Sequence, residues 1–280
     1  MRCHLAGLSE RRCRAFLAAV LLSLLAAATP VLAVDPAEDQ QAELARKLQN
    51  PIASLISVPF QSNFEWGGGP HSDGFKYTLN TQPVIPISIS EGWNLISRTI
   101  VPTIHQQDVI PNSEQNGLGD ITQSIFFSPK EPGFGGIIWG AGPVALLPTA
   151  TTRFLGAEKF SLGPTVVLLR QTGGWTYGML ANHLWSVAGT AHTGNVNATF
   201  LQPFVSYIFP THTTLGINTE STYDWAKSKW TVPINPFVSQ VLKIGPQPIS
   251  LQLGPKLYVE GPTGAPDWGM RFAFILLFPT

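Results

Sequence analysis

Trp268-Gly269-Met270-Arg271-Phe272-Ala273-Phe274-Ile275-Leu276-Leu277-Phe278 is the stretch that decides the fold. Trp268, Met270, Phe272, Phe274, Leu276 and Phe278 take every second position, and Gly269, Arg271 and Ala273 fall between them. A period of two puts alternate side chains on opposite faces of a strand, so one wall is greasy and the other mixed. The preceding stretches repeat the pattern. Residues 248–260 set Ile249, Leu251, Leu253, Pro255, Leu257 and Val259 against Ser250, Gln252, Gly254, Lys256, Tyr258 and Glu260. Residues 229–242 set Trp230, Val232, Ile234 and Val238 against Thr231, Asn235 and Ser239. Residues 213–225 set Leu215, Ile217, Thr219, Ser221, Tyr223 and Trp225 against Gly216, Asn218, Glu220, Thr222 and Asp224.

Working back from this end, the chain divides into β-like segments at 53–65, 75–87, 93–105, 118–128, 134–147, 161–170, 174–187, 197–209, 213–225, 229–242, 248–260 and 267–278. That is an even number, about 12, and most segments have the length a tilted membrane-spanning strand needs. A soluble sandwich also alternates, and two features favour a barrel. The links at 66–74, 106–117, 148–160 and 188–196 are long, and most of those between them are short, as expected of outer loops and periplasmic turns. The short link at 226–228 departs from that trend. Tryptophans also gather at segment ends, Trp66 among them and Trp139 alone lying deeper: Trp93, Trp175, Trp185, Trp225, Trp230 and Trp268 are expected at the membrane interfaces. Trp175 and Trp185 bracket one segment and would stand roughly 25 Å apart along the membrane normal. Proline speaks against the barrel. Pro83, Pro86, Pro102, Pro143, Pro164, Pro203, Pro233, Pro236 and Pro255 all fall inside expected strands. A closed sheet has no edge on which to tolerate a missing N–H.

The fold class expected is therefore all-β: an up-and-down transmembrane antiparallel barrel of about 12 strands over residues 53–280. Its N-terminal side is read in two parts. Arg2, Arg11, Arg12 and Arg14 precede an apolar run at 15–28, and Val31 and Ala33 are small residues placed for cleavage after Ala33. This is the form of an export signal over 1–33, and the run is too short for a spanning helix. Residues 34–52 include a short helical stretch at 37–49, with Glu43 and Lys47 at i,i+4 and a stop at Asn50-Pro51. It is expected to be a periplasmic appendage or a plug in the barrel mouth.

Composition agrees. Charged residues make up only 12% of the chain while hydrophobic ones make up 44%. A lipid-facing wall needs few charges, and a soluble surface needs about twice as many. Both cysteines, Cys3 and Cys13, lie in the signal, so the mature chain has no disulfide, thiol nucleophile or cysteine metal site. Four of 17 basic residues and one of 17 acidic residues also lie there. The mature chain is thus mildly acidic, which argues against a nucleic-acid partner.

Four stretches carry a family likeness. They are Leu48-Gln49-Asn50-Pro51-Ile52-Ala53-Ser54-Leu55-Ile56-Ser57-Val58-Pro59-Phe60-Gln61-Ser62-Asn63, Gly117-Leu118-Gly119-Asp120-Ile121, Gly140-Ala141-Gly142-Pro143 and Gly173-Gly174-Trp175-Thr176-Tyr177-Gly178. Together they resemble a family of Gram-negative outer-membrane proteins labelled as transporters or as neuromedin U. That family is related to the group named for the MetA pathway of phenol degradation. The similarity covers roughly residues 41–278. It implies an outer-membrane barrel, and it implies neither a substrate nor a catalytic residue. Such barrels end in an aromatic residue read by the assembly machinery. Phe278 resembles that residue, although Pro279 and Thr280 follow it.

Little in the chain suggests catalysis. His71, His105, His183, His192 and His212 form no metal-ligand pair on one strand face, and no metal or other cofactor is expected. His183 and Ser186 are three apart, so they fall on opposite walls and make no dyad. The charges that fall on the mixed walls are more informative. Arg98, Glu220, Asp224, Lys256, Glu260 and Arg271 are expected to line the lumen, either as a self-neutralising network or as a constriction that filters solutes by charge. The expected function is a narrow channel or passive transporter for a small solute, in the outer membrane of a bacterium. Its partners would be outer-membrane lipids and the barrel assembly machinery. The alternative is a non-transport envelope barrel, structural or lipid-modifying.

Overall fold

A computed structural model of the protein describes residues 36–192 and 194–279. The expected export signal and its cleavage point lie outside the described residues. One helix, α1 (Pro36–Leu48), precedes 15 strands. These are β1 (Ile56–Gly68), β2 (Gly74–Thr81), β3 (Val84–Ser88), β4 (Trp93–Gln107), β5 (Glu114–Leu118), β6 (Ile121–Pro129), β7 (Ile137–Leu147), β8 (Lys159–Thr172), β9 (Trp175–Gly189), β10 (Asn197–Ile208), β11 (Thr213–Thr219), β12 (Ser221–Asp224), β13 (Lys229–Ile244), β14 (Gln247–Glu260) and β15 (Trp268–Phe278). β2 with β3, β5 with β6, and β11 with β12 are single staves, each interrupted once. The barrel thus has 12 antiparallel staves, which correspond one for one to the segments read from the sequence.

The sheet closes where its last strand meets its first. β15 pairs with β1 over eleven positions, from Ile56 opposite Phe278 to Trp66 opposite Trp268. Closure leaves no free edge, which is the condition for placing a sheet in lipid. Links at the end where β1 begins and β15 finishes are mostly short, as at 173–174 and 245–246. Links at the other end are mostly longer, as at 148–158 and 190–196. We call these the turn end and the loop end.

The two walls sort as the alternation requires. Leu168, Met179, Ile217, Leu253, Leu257 and Phe272 are large apolar side chains exposed on the outer wall. Trp93, Trp175, Trp185, Trp225, Trp230 and Trp268 are each about 40–50% exposed and sit at stave ends, where two aromatic girdles belong. Trp66 stacks on Trp268 at 4.6 Å across the closing seam. Polar groups on the outer wall satisfy one another: Thr99 donates to Gln123 at 2.6 Å, and Gln123 donates to Ser97 at 3.0 Å.

The prolines prove compatible with closure because each sits where the ladder is already broken. Pro83 separates β2 from β3, and Pro86 lies beyond Val84, the last residue of that stave to pair with β1. Pro102 faces the break between β5 and β6, where Gly119 N–H reaches its carbonyl at 2.8 Å. Pro203 and Pro233 flank the break between β11 and β12 at Glu220. Pro143, Pro164, Pro236 and Pro255 fall in gaps in the pairing of β6 with β7, β8 with β9, and β13 with β14.

Three of these prolines follow a glycine, in Gly142-Pro143, Gly163-Pro164 and Gly254-Pro255. Each glycine faces the lumen, and a Cβ there would collide with a neighbouring carbonyl oxygen, of Ile125, His183 and Pro236 respectively. Without the proline N–H, the neighbouring strand carbonyl has lost its partner, and it packs against bare backbone.

Inside, the turn end is filled. Leu44 and Ala45 of α1 join Ala53, Leu55, Val241, Ala273, Ile275 and Leu277 in one apolar cluster. Ile52 enters a second, with Ile96, Phe126, Val167, Leu169 and Leu180. Lys243 donates to Gln40 at 3.0 Å, and Gln171 donates to the Arg46 carbonyl at 2.9 Å, which fixes the helix to the wall. Removing the clearance at a Gly-Pro site tests this construction. Gly163→Ala is expected to cost roughly 1–3 kcal/mol or more through forced strand separation. Heat-modifiable migration on gels reads it: the folded band falls for Gly163→Ala and persists for Gly92→Ala, where a methyl meets open space.

Candidate functional site

The lumen above α1 holds a cavity of about 500 Å³, floored by residues 47–51. Its wall is rich in amides, with Gln61, Asn80, Gln82, Asn182, Gln202 and Asn218 among the lining side chains. These come from β1, β2, β9, β10 and β11 and from the residues that join β2 to β3, so the site belongs to the whole barrel. Amide side chains on the inward rows of many staves leave an open interior where larger side chains would fill it.

Two ion pairs, one fully and one partly buried, brace one side of this wall. Arg271 makes a two-pronged pair with Glu220, Nη1 to Oε1 at 2.8 Å and Nη2 to Oε2 at 2.6 Å. Its Nε donates to Asn63 Oδ1 at 2.8 Å, so the guanidinium is held on both flanks. Arg271 lies opposite Asn63 on β1 and Gly254 on β14. The missing side chain at Gly254 lets it reach across β14 and β13 towards Glu220. The second pair is Lys256 Nζ to Glu65 Oε1 at 2.6 Å, and the Tyr258 hydroxyl donates to the same oxygen. Gly269 is the register partner of both Glu65 and Lys256. It stands between them on the closing seam, and its small size lets the two charges meet over it. Such pairs are stable only when the remaining donors and acceptors are also used, and Asn63 and Tyr258 meet that need.

Of the six charges expected in the lumen, the structure brings Arg271 and Glu220 into direct contact, places Lys256 in the adjacent pair, and puts Arg98 on the cavity wall. Arg98 donates to Gln82 Oε1 at 3.1 Å. Asp224 and Glu260 stand apart at the loop end. Asp224 accepts from the backbone N–H of Ala226 and of Lys227 and pairs with Lys227 Nζ at 3.1 Å, so it caps a turn. Glu260 ends β14 on the exposed rim. Glu65, Asn63 and Tyr258 were not singled out from the sequence. Tyr258 was visible on the mixed wall of its segment, while Glu65 stood at a boundary between segment and loop.

His183 and Ser186 are on opposite walls, as their spacing requires. His183 Nδ1 is 2.7 Å from Thr199 Oγ1 on the outer face, and Ser186 is paired with the buried, inward Ser161. Among the described residues, no group of His, Cys, Asp or Glu is arranged to hold a metal ion.

The fold is shared with a known outer-membrane protein. The COG4313 outer membrane channel from Pseudomonas putida F1 superposes with a TM-score of 0.63 at 13% identity, over 80% of this chain and 96% of that one. The outer membrane phospholipase A from Escherichia coli is more distant, with a TM-score of 0.44 at 10% identity over 80% and 98% of the two chains. The Salmonella typhi outer membrane phospholipase gives 0.43 at 10% identity, over 79% and 90%. No family model and no curated protein matches the sequence. The likeness at this identity is one of fold: a 12-stranded outer-membrane barrel.

The Arg271–Glu220 pair has a measurable consequence. Glu220→Gln leaves Arg271 without its counter-charge and is expected to lower stability by roughly 1.5–3 kcal/mol. Denaturant unfolding in detergent micelles checks it. Adding Arg271→Gln to that variant is expected to restore part of the loss, because the stranded charge is then gone.

Proposed function

We propose that the protein is a narrow outer-membrane channel or passive transporter for a small solute. The observation that carries this reading is the amide-lined cavity of about 500 Å³ inside a closed barrel with an apolar outer wall. A structural barrel gains nothing from an interior left open to water, and a filled core would be more stable. The charged side chains Arg98, Glu220, Lys256 and Arg271 form or brace the selective part of the passage, and Asp224 and Glu260 lie at its outer rim. The six exposed tryptophans anchor the barrel at the two lipid interfaces, and Phe278, outward on the closing strand, offers the C-terminal signal to the assembly machinery.

Residues 40–52 act as the plug of this passage, with Leu44, Ala45 and Ile52 stoppering the turn end. The transporter label of the family that the sequence resembles agrees with this reading. So does the 0.63 superposition on an outer membrane channel.

Planar-bilayer recording and vesicle flux test the proposal. The full chain is expected to pass small solutes slowly, and a chain lacking residues 36–49 is expected to conduct more. Absence of conductance and of solute flux from both proteins, each folded, would overturn it.

A further inference from the structure

The reading of the lumen as a passage rests on its shape; its charge says what it is built to hold. Among the described residues, four charged side chains line the cavity: Lys47, Arg98, Glu220 and Arg271. Both oxygens of Glu220 are taken by Arg271. Lys47 is paired with Glu43 at 2.8 Å, one turn back along α1. Arg98 has no carboxylate partner, and its single hydrogen bond goes to a neutral amide, Gln82. The cavity therefore carries one positive charge more than the carboxylates paired around it, and among the described residues most of the Arg98 N–H donors meet no protein acceptor.

We infer that Arg98 is the anchor of a binding site for a small organic carboxylate inside the barrel. Interior cations without a counter-charge are costly, and function is the common reason they persist. A guanidinium fits a carboxylate through two parallel N–H···O bonds, which an ammonium cannot match. The surroundings suit an organic anion better than a lone inorganic one. Val84 is the register partner of Arg98, and Ile100 is the next inward residue along β4. They offer apolar contact to a hydrocarbon body, and Gln82 offers a further amide beside the guanidinium. The cavity also has room for a molecule of some ten heavy atoms rather than a single ion. The neighbouring Glu220 does not oppose this, because Arg271 already neutralises it.

This inference rests on the lumen being accessible to solute, and the test separates the two ideas. The full chain in detergent micelles is titrated calorimetrically with benzoate and with benzamide, its neutral isostere, at constant ionic strength set with chloride. Benzoate is expected to bind about tenfold more tightly than benzamide. Arg98→Gln is expected to abolish that difference while leaving benzamide unchanged, and Arg98→Lys to keep only a small part of it, because an ammonium cannot make the paired N–H···O contact. Equal binding of the two probes overturns the inference. So does benzoate binding that survives in folded Arg98→Gln, or that chloride displaces at equal concentration. If Arg98→Gln fails to fold, the wild-type contrast and Arg98→Lys decide. Flux of the same probes into vesicles is then read separately. Selective binding without flux supports the site and removes the transport reading, while flux equal for both probes and indifferent to Arg98→Lys removes the site and keeps the channel.

Discussion

The structure depends on one constraint: in a bilayer, the backbone must satisfy its own hydrogen bonds. A sheet meets it only by closing, and here closure is made by eleven paired positions between β1 and β15. Much of what else is built into the chain follows from that seam. Trp66 and Trp268 stack across it at the loop end. Glu65 and Lys256 pair over Gly269 within it, and Asn63 hands Arg271 on to Glu220 beside it. The strongest polar contacts of the lumen thus sit where the first and last strands, some two hundred residues apart, must find each other. Non-local pairing of this kind is entropically costly to form. Specific charge contacts fix its register where the outward apolar rows alone would tolerate a slip.

The same constraint explains how so many prolines fit. A closed sheet offers no edge, so the missing donors are absorbed at breaks and pairing gaps inside it. At three of these, a lumen-facing glycine lets the partnerless carbonyl of the next strand settle against backbone. From sequence, the nine prolines stood as an objection to the barrel. The resolution depends on which residue lies opposite each one, and that information belongs to register, which composition and period do not carry. Glu220 is the clearest case. It lies at a stave break between Gln202-Pro203 and Val232-Pro233, where the ladder is weakest, and it is also the residue whose side chain holds Arg271.

Number of staves, alternation, loop lengths and girdle tryptophans were all legible because each is a local pattern. The inward charges on β14, on β15 and at the break between β11 and β12 were legible for the same reason: Arg271 and Lys256 are buried, and Glu220 is half-buried, where parity put them. Parity does not report depth, however. Asp224 and Glu260 share the inward row yet reach only the rim, one as a turn cap and the other exposed. Glu65 was missed because the alternation of its segment is blurred by Pro59 and by polar residues on the outward row, such as Ser62.

Alternation also fades towards the turn end of β15, where Ile275 and Leu277 are as apolar as their outward neighbours. The helix accounts for it. Leu44, Ala45, Ala53 and Leu55 pack against those inward positions, so at this depth both walls of the barrel face apolar matter. Where the inward row turns polar, at Arg271 and Gln252 and beyond, the helix has ended and the cavity begins. The break in the two-residue period along β15 therefore marks, in the sequence itself, the depth to which residues 44–55 fill the lumen. A run in which both faces of a barrel strand are apolar is a sign that something other than water lies inside it.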